Sequence, residues 1–232
     1  MAFLKPSCTV VGIFAVIILS LSGCASFRSE IGGSYPGKAE RNLNALPVSV
    51  LFIFSHVHQT TGLDAVPKFA NQREIIQGFD DIFLDALREF SNVGMYATHT
   101  EYASDVNNPE RRARRDSLIS QYDYNIRIRI KSEQSFARLF LGTVASSLSA
   151  TFLPISYTNS YSIETELYNQ QRQLIATYQR SADLSKWVQM FLIFVYPFHP
   201  EERKREEIYL EFLHDTFRQI ETEKVLVSNT QK

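Results

Sequence analysis

The clearest pattern in the chain is the alternation Tyr124-Asn-Ile-Arg-Ile-Arg-Ile-Lys131. Successive side chains of a strand point to opposite faces, so Tyr124, Ile126, Ile128 and Ile130 share one face and Asn125, Arg127, Arg129 and Lys131 the other. One face enters a core and the other is cationic. Tyr161 to Tyr168 alternates in the same way, with Glu164 and Glu166 on its polar side. Asn169 to Arg172 reads as a turn into a return strand from Gln173 to Arg180. If the two alternating strands are neighbours, Arg127 and Arg129 face Glu164 and Glu166, and the pairs help to set register.

Other stretches carry different periods. Val48 to Phe54 is a continuous β-branched and aromatic run, which predicts a buried strand. Residues 55–70, with Gly62 and Pro67, read as a long loop. Asn71 with Glu74 resembles a capping box, and Ile75, Phe79, Ile82, Phe83, Ala86, Leu87 and Phe90 then fall on one helical stripe. Gly78 interrupts it at a cost of up to ~1 kcal/mol relative to Ala. Val93 to Thr100 predicts a further strand, and the charged residues 104–118 an exposed segment. Pro200, Glu201 and Glu202 suit a helix start. Ile208, Phe212, Leu213, Phe217 and Ile220 supply its apolar stripe, and the chain frays from Val225.

Two apolar segments stand apart. Residues 136–155 hold Arg138 as their only charge, and 187–198 hold none. Both are readable as core, as surfaces lying against a bilayer or a partner, or as inserted segments. Phe136, Leu139, Phe140, Leu141, Trp187 and Phe191 are the candidate apolar contact residues.

The N-terminus has the order of an export signal: Lys5, an apolar stretch from Val10 to Leu21, then Leu21-Ser22-Gly23-Cys24. Twelve apolar positions fall short of the roughly 20 residues a spanning helix needs. Leu21-Ser22-Gly23-Cys24 resembles the lipobox of bacterial lipoproteins. That resemblance implies cleavage before Cys24 and acylation of its thiol and new amino group. In Gram-negative members, Ala25 and Ser26 at the next positions imply sorting to the outer membrane, facing the periplasm. Cleavage would remove 23 of the 232 residues and leave 209. Cys8 would leave with the signal, so the mature chain would hold one cysteine and no internal disulfide. Residues 24–47, with Gly32, Gly33, Pro36, Gly37 and Pro47, read as a lipid-anchored flexible tether, and 48–225 as a single domain.

Composition narrows the classes. Seventeen Phe and eleven Tyr exclude a disordered stalk, and a formal charge of -1 gives no footprint for nucleic acid. Candidate chemistry is sparse. His56 and His58 could share one strand face with Asp64 nearby, but the set lacks a metal-ligand pattern, so no metal and no cofactor is expected. No Gly-x-Ser-x-Gly elbow surrounds Ser55. Asp80, Asp81 and Asp85 read as a solvated helix face. Arg111, Arg112, Arg114 and Arg115 form a guanidinium cluster that could hold an anionic ligand or an acidic partner, or could be spent on local pairs with Glu110 and Asp116.

The fold class expected is mixed α+β, a central mixed sheet with packed helices. The order of elements (the Val48–Phe54 strand, the helix over 73–90, the strand over 93–99 and the Tyr124–Lys131 strand after an exposed loop) resembles the lipoprotein domain family that includes the curli secretion channel subunit, the outer-membrane activators of penicillin-binding proteins and the exopolysaccharide export lipoprotein. The resemblance implies work by assembly and contact. The function expected is thus a non-catalytic accessory, assembly or partner-binding lipoprotein, held by membrane lipid through Cys24, with an envelope protein or a second copy as partner. The alternative is an envelope hydrolase or a lipid- or glycan-binding protein using His56, His58, Asp64 and the arginines.

Overall fold

The computed structural model describes residues 23–37, 45–71, 76, 78–105, 107–148, 155–189 and 201–227. The described elements are β1 (Gly23–Arg28), β2 (Val48–Thr61), β3 (Lys68–Phe69), α1 (Phe79–Leu87), β4 (Val93–Glu101), α2 (Pro109–Ile119), β5 (Tyr124–Ser135), α3 (Phe136–Leu148), β6 (Ile155–Asn169), β7 (Leu174–Gln189) and α4 (Glu201–Thr222), with a single 3-10 turn at Ala103–Asp105. The strands form one seven-stranded sheet in the order β1-β7-β6-β5-β2-β3, with β4 also paired to β2. β2 runs parallel to β4 and β5, and the remaining pairings are antiparallel. The mixed α+β class read from the sequence is the class observed.

The continuous apolar run of β2 follows from its place in the sheet. It is covered on both faces, so it needs apolar residues at every position rather than at alternate ones. Val50, Phe52 and Phe54 pack with α1 and α4, while Leu51 and Ile53 pack with Ile119 at the end of α2. Phe52 is ringed by Phe83, Phe90 and Phe217 at centroid distances of 4.9, 6.3 and 5.6 Å. The stripe predicted on the last helix is the one buried, with Ile208, Phe212, Leu213, Phe217 and Ile220 fully enclosed. β5 and β6 lie side by side in the expected register, Arg127 opposite Glu166 and Arg129 opposite Glu164.

Four local expectations change. Residues 55–70 are not a loop: β2 continues to Thr61, because β5 pairs with it as far as Ser135 and β3 turns back against Val57 and His58. α1 begins at Phe79, since Gly78 sits at its N-cap with φ 79°, which a continuous right-handed helix does not accommodate. Glu74 and Ile75 of the expected first turns lie outside the described residues. The charged stretch 104–118 is exposed as read but contains a helix, capped where the Asn108 side chain accepts from the backbone N–H groups of Glu110 and Arg111 at 3.0 and 3.2 Å. Pro109 then fits the first helical position. Trp187 stands in a strand, because β7 extends to Gln189.

The stretch expected to be a tether is partly folded. Gly23–Arg28 adds to the edge of the sheet beside β7, and Gly32 exchanges backbone hydrogen bonds with Ser181 at 2.7 and 3.1 Å. The Tyr35 N–H donates to both carboxylate oxygens of Asp215 on α4. Polar and glycine-rich composition suggested a linker, but these groups bond through the backbone, which composition does not register. The expected signal 1–22 and residues 38–44 lie outside the described residues.

Candidate functional site

A single row of residues crosses the sheet at one end. Thr60 lies opposite Gln134, Gln134 opposite Asn159, Asn159 opposite Leu184, and Leu184 opposite Arg28. Beyond this row β1, β6 and β7 continue, and the Cys24 backbone pairs with Val188. Cys24 is four residues past Arg28, which is about 13 Å along a strand. The 62–67 turn after β2, the start of α3 and Trp187 also lie past the row.

That end carries the greatest exposure of large apolar side chains. Leu63 and Val66 are 68% and 66% exposed in the turn, and Phe140 and Leu141 are 56% and 65% exposed on α3. Phe136, Val144 and Trp187 are exposed as well, and Leu139 is half-buried. The Phe136 and Phe140 rings stack at 6.1 Å, as the spacing of four on a helix allows. A side chain built at Gly62 would lie 3.8 Å from the Phe136 Cβ, so the turn and the start of α3 are neighbours. Leu63 and Val66 were missed as candidates by the sequence reading. Two large apolar residues in a turn whose only polar side chain is Asp64 were the available signal. Phe191 lies outside the described residues. Among those described, no helix is long and apolar enough to cross a membrane.

The arginine cluster occupies α2 on the opposite side of the sheet from α1 and α4. Arg115 donates to Glu101 at 2.7 Å and to Asp116 at 3.0 Å, and Arg111 pairs with Asp105. The Glu101 carboxylate beside it raises the Arg115 pKa further, so this charge is fixed. Arg112 and Arg114 form no ion pair among the described residues. A small cavity of about 150 Å³ lies between α2, His99, Tyr102 and Phe69. A groove of about 240 Å³ adjoins it, lined by Arg115, Arg127 and Arg129 and by Glu101, Glu164 and Glu166. Its cations and carboxylates balance, and several are already paired across the sheet.

Of the groups that a hydrolase would draw together, Asp64 lies near His58, while His56 is kept from the arginines. His56 points to the other face, where its ring meets Phe79 edge-on at 4.9 Å, and burial lowers its pKa to about 4. Asp64 is held by Lys68 and by the Thr60 N–H, and both bonds lower its pKa. Asp85 contacts Arg88 at 3.1 Å and His214 at 3.2 Å, while Asp80 and Asp81 are exposed. Thus His56 and the arginines are separated by the thickness of the sheet. Among the described residues no cluster of three His, Cys, Asp or Glu could hold a metal ion. A wider cleft of about 700 Å³ lies between β1 and α4, lined by Arg28, Glu30, Glu211, His214, Asp215 and Arg218. Its charges pair as well, Arg28 with Glu207 and Glu211, and Arg218 with Glu89.

No family model matches the chain. No curated protein matches it either. Among solved structures, a variant PelC dodecamer from Paraburkholderia phytofirmans is similar with a TM-score of 0.31 and 10% identity, over 83% of this chain and 97% of that one. A second PelC dodecamer structure from the same organism is similar with a TM-score of 0.30 and 8% identity, over the same shares. The similarity is distant, and overlap of this size carries no argument about function.

Proposed function

We propose that this is a non-catalytic envelope lipoprotein, acylated at Cys24, that works at the outer membrane as an accessory, assembly or partner-binding protein. The observation that carries the reading is the position of Cys24. This cysteine is the second residue of β1, at the end of the sheet where exposed apolar side chains gather. Acyl chains there would hold the domain directly at a membrane surface, and multiple chains are needed for stable anchoring because each buried CH₂ contributes only ~0.8 kcal/mol. Ala25 and Ser26 after the cysteine favour the outer membrane, with the domain in the periplasm.

The separation of His56 from the arginine helix favours contact over catalysis. Arg112 and Arg114 on α2 would offer an acidic surface of an envelope protein, or of a second copy, a cationic face. The test is metabolic labelling with a palmitate analogue, mass measurement of the N-terminal peptide and fractionation of the two membranes, for the native chain and Cys24→Ala. The expected result is an acylated native chain in the outer-membrane fraction and an unlabelled variant. An unacylated native chain would overturn the reading.

A further inference from the structure

We infer that the apolar end of the domain is a second membrane contact, with the exposed face of α3, the Leu63–Val66 turn and Trp187 seated in the interface of the bilayer that holds Cys24. The inference rests on Cys24 being acylated. It adds that the folded domain itself enters the lipid surface, in a fixed orientation.

A lipid anchor on a long linker says nothing about which face of a domain meets the membrane. Here no residue separates Cys24 from β1, whose backbone pairs with β7. The bilayer surface must then pass within the length of one modified side chain of the Cys24 backbone. The α3 helix and the turn start within about 13 Å of that level along the strand direction. Interfacial apolar faces sink roughly 5–10 Å into the boundary between headgroups and acyl chains. Leu63 and Val66 follow Thr60 by a few residues, and Phe140 and Leu141 lie within about two turns of the start of α3, so these exposed side chains are within reach of that boundary, where they would be withdrawn from water.

Composition and size agree with an interfacial seat. α3 has 13 residues, about 20 Å, too short to cross a hydrocarbon core of ~30 Å. Its only charged residue is Arg138. A guanidinium is suited to the phosphates of anionic headgroups, and its stem can lie along the apolar surface. Trp is a common interfacial residue because its ring is apolar and its N–H can stay hydrated. A protein occupant of this face would have to fit between the domain and the membrane to which the domain is fixed.

The full-length acylated protein in vesicles of phosphatidylethanolamine and phosphatidylglycerol tests this. Trp187 is the only tryptophan of the chain. Once Cys24 carries lipid and the signal holding Cys8 is removed, Leu141→Cys supplies a single free thiol for an environment-sensitive fluorophore. Gln170→Cys, in the exposed β6–β7 turn at the opposite end, is the control. We expect emission from the position 141 probe to rise several-fold over that from position 170. We also expect lipids spin-labelled high on the acyl chain to quench both that probe and Trp187. A position 141 probe as hydrated as the control, in protein whose mass includes the acyl chains, overturns the inference and leaves the anchor intact. A dry probe that spin-labelled lipid does not quench also overturns it, because protein then covers the face. A mass without acyl chains removes the anchor and this inference together.

Discussion

Arg129 faces Glu164 across the β5–β6 pairing, with its Nη1 3.4 Å from the Glu164 carboxylate. One position along, Arg127 opposes Glu166 but places its guanidinium over the Tyr168 ring, 5.0 Å from the centroid. Both arrangements keep the charges on the solvated face, where a one-residue slip of register would bury them. Arg129 is well exposed, so its pair is screened and contributes little energy. A double-mutant cycle of Arg129→Ala and Glu164→Ala, read by urea unfolding, should give a coupling of ~0.2–1 kcal/mol. A coupling well above that would mean that the groove on this face is less hydrated than its exposure indicates.

How much of this was legible follows from the kind of signal each element leaves. The β5–β6 register was readable because both strands alternate and their polar faces carry opposite charge. α4 was readable from five apolar residues at helical spacing. β1 was not, since Gly23–Arg28 joins the sheet edge through backbone bonds that six residues of mixed character do not announce. The end of the molecule that joins Cys24 to Leu63, Leu141 and Trp187 is a product of four strand registers. Each residue had a sequence reading or could have had one, but their nearness depends on pairings between distant segments, above all that of β1 with β7, whose partners such as Cys24 and Val188 stand far apart in the chain.

The link between β7 and α4 is an enclosed ion pair. Arg180 donates to Asp215, to Gln219 and, at 2.8 Å, to the Gln179 carbonyl, and its side chain is 4% exposed. Asp215 also receives the Tyr35 N–H. Removing one partner of such a pair leaves a buried charge without compensation. Asp215→Ala should cost about 3–5 kcal/mol in urea unfolding. The double replacement Arg180→Met with Asp215→Leu should cost markedly less than Asp215→Ala alone. A double variant as unstable as the single one would show that the Tyr35 bond, not the guanidinium, dominates.

Phe52 is the centre of the aromatic core and has no exposed surface. Its ring meets Phe83 on α1 and Phe217 on α4, so truncation leaves a cavity lined by both helices. Phe52→Ala should lower stability by about 3–5 kcal/mol, the range for enclosed aromatics. Phe52→Leu should cost less, because the smaller residue fills part of the space. Thermal unfolding of the two variants checks the order, and an Ala variant within ~1 kcal/mol of the native chain would mean that the helices collapse onto the gap.

His56 gives the fold an acid sensitivity that belongs to no binding event. Its ring is packed against Phe79 and near Tyr209, and its Nε2 has no hydrogen-bond partner among the described residues. Desolvation lowers its pKa from 6.5 to about 4. In the folded chain it stays neutral down to that value, whereas in the unfolded chain it takes a proton near 6.5. Between these values the unfolded state binds more protons, so stability falls as pH falls. The contribution is fully present above pH 6.5 and is lost progressively toward pH 4, by about 3 kcal/mol at most at 1.36 kcal/mol per pKa unit. His56→Leu removes the titrating group and leaves an apolar side chain in an apolar site. The variant should therefore lose less stability than the native chain between pH 6.5 and 4 in urea titrations. Depressed carboxylates such as Glu89 add their own acid loss at lower pH in both proteins, and cancel in the comparison. Identical slopes for the two proteins through this window would mean that the ring becomes protonated in the fold, with water reaching it past Phe79.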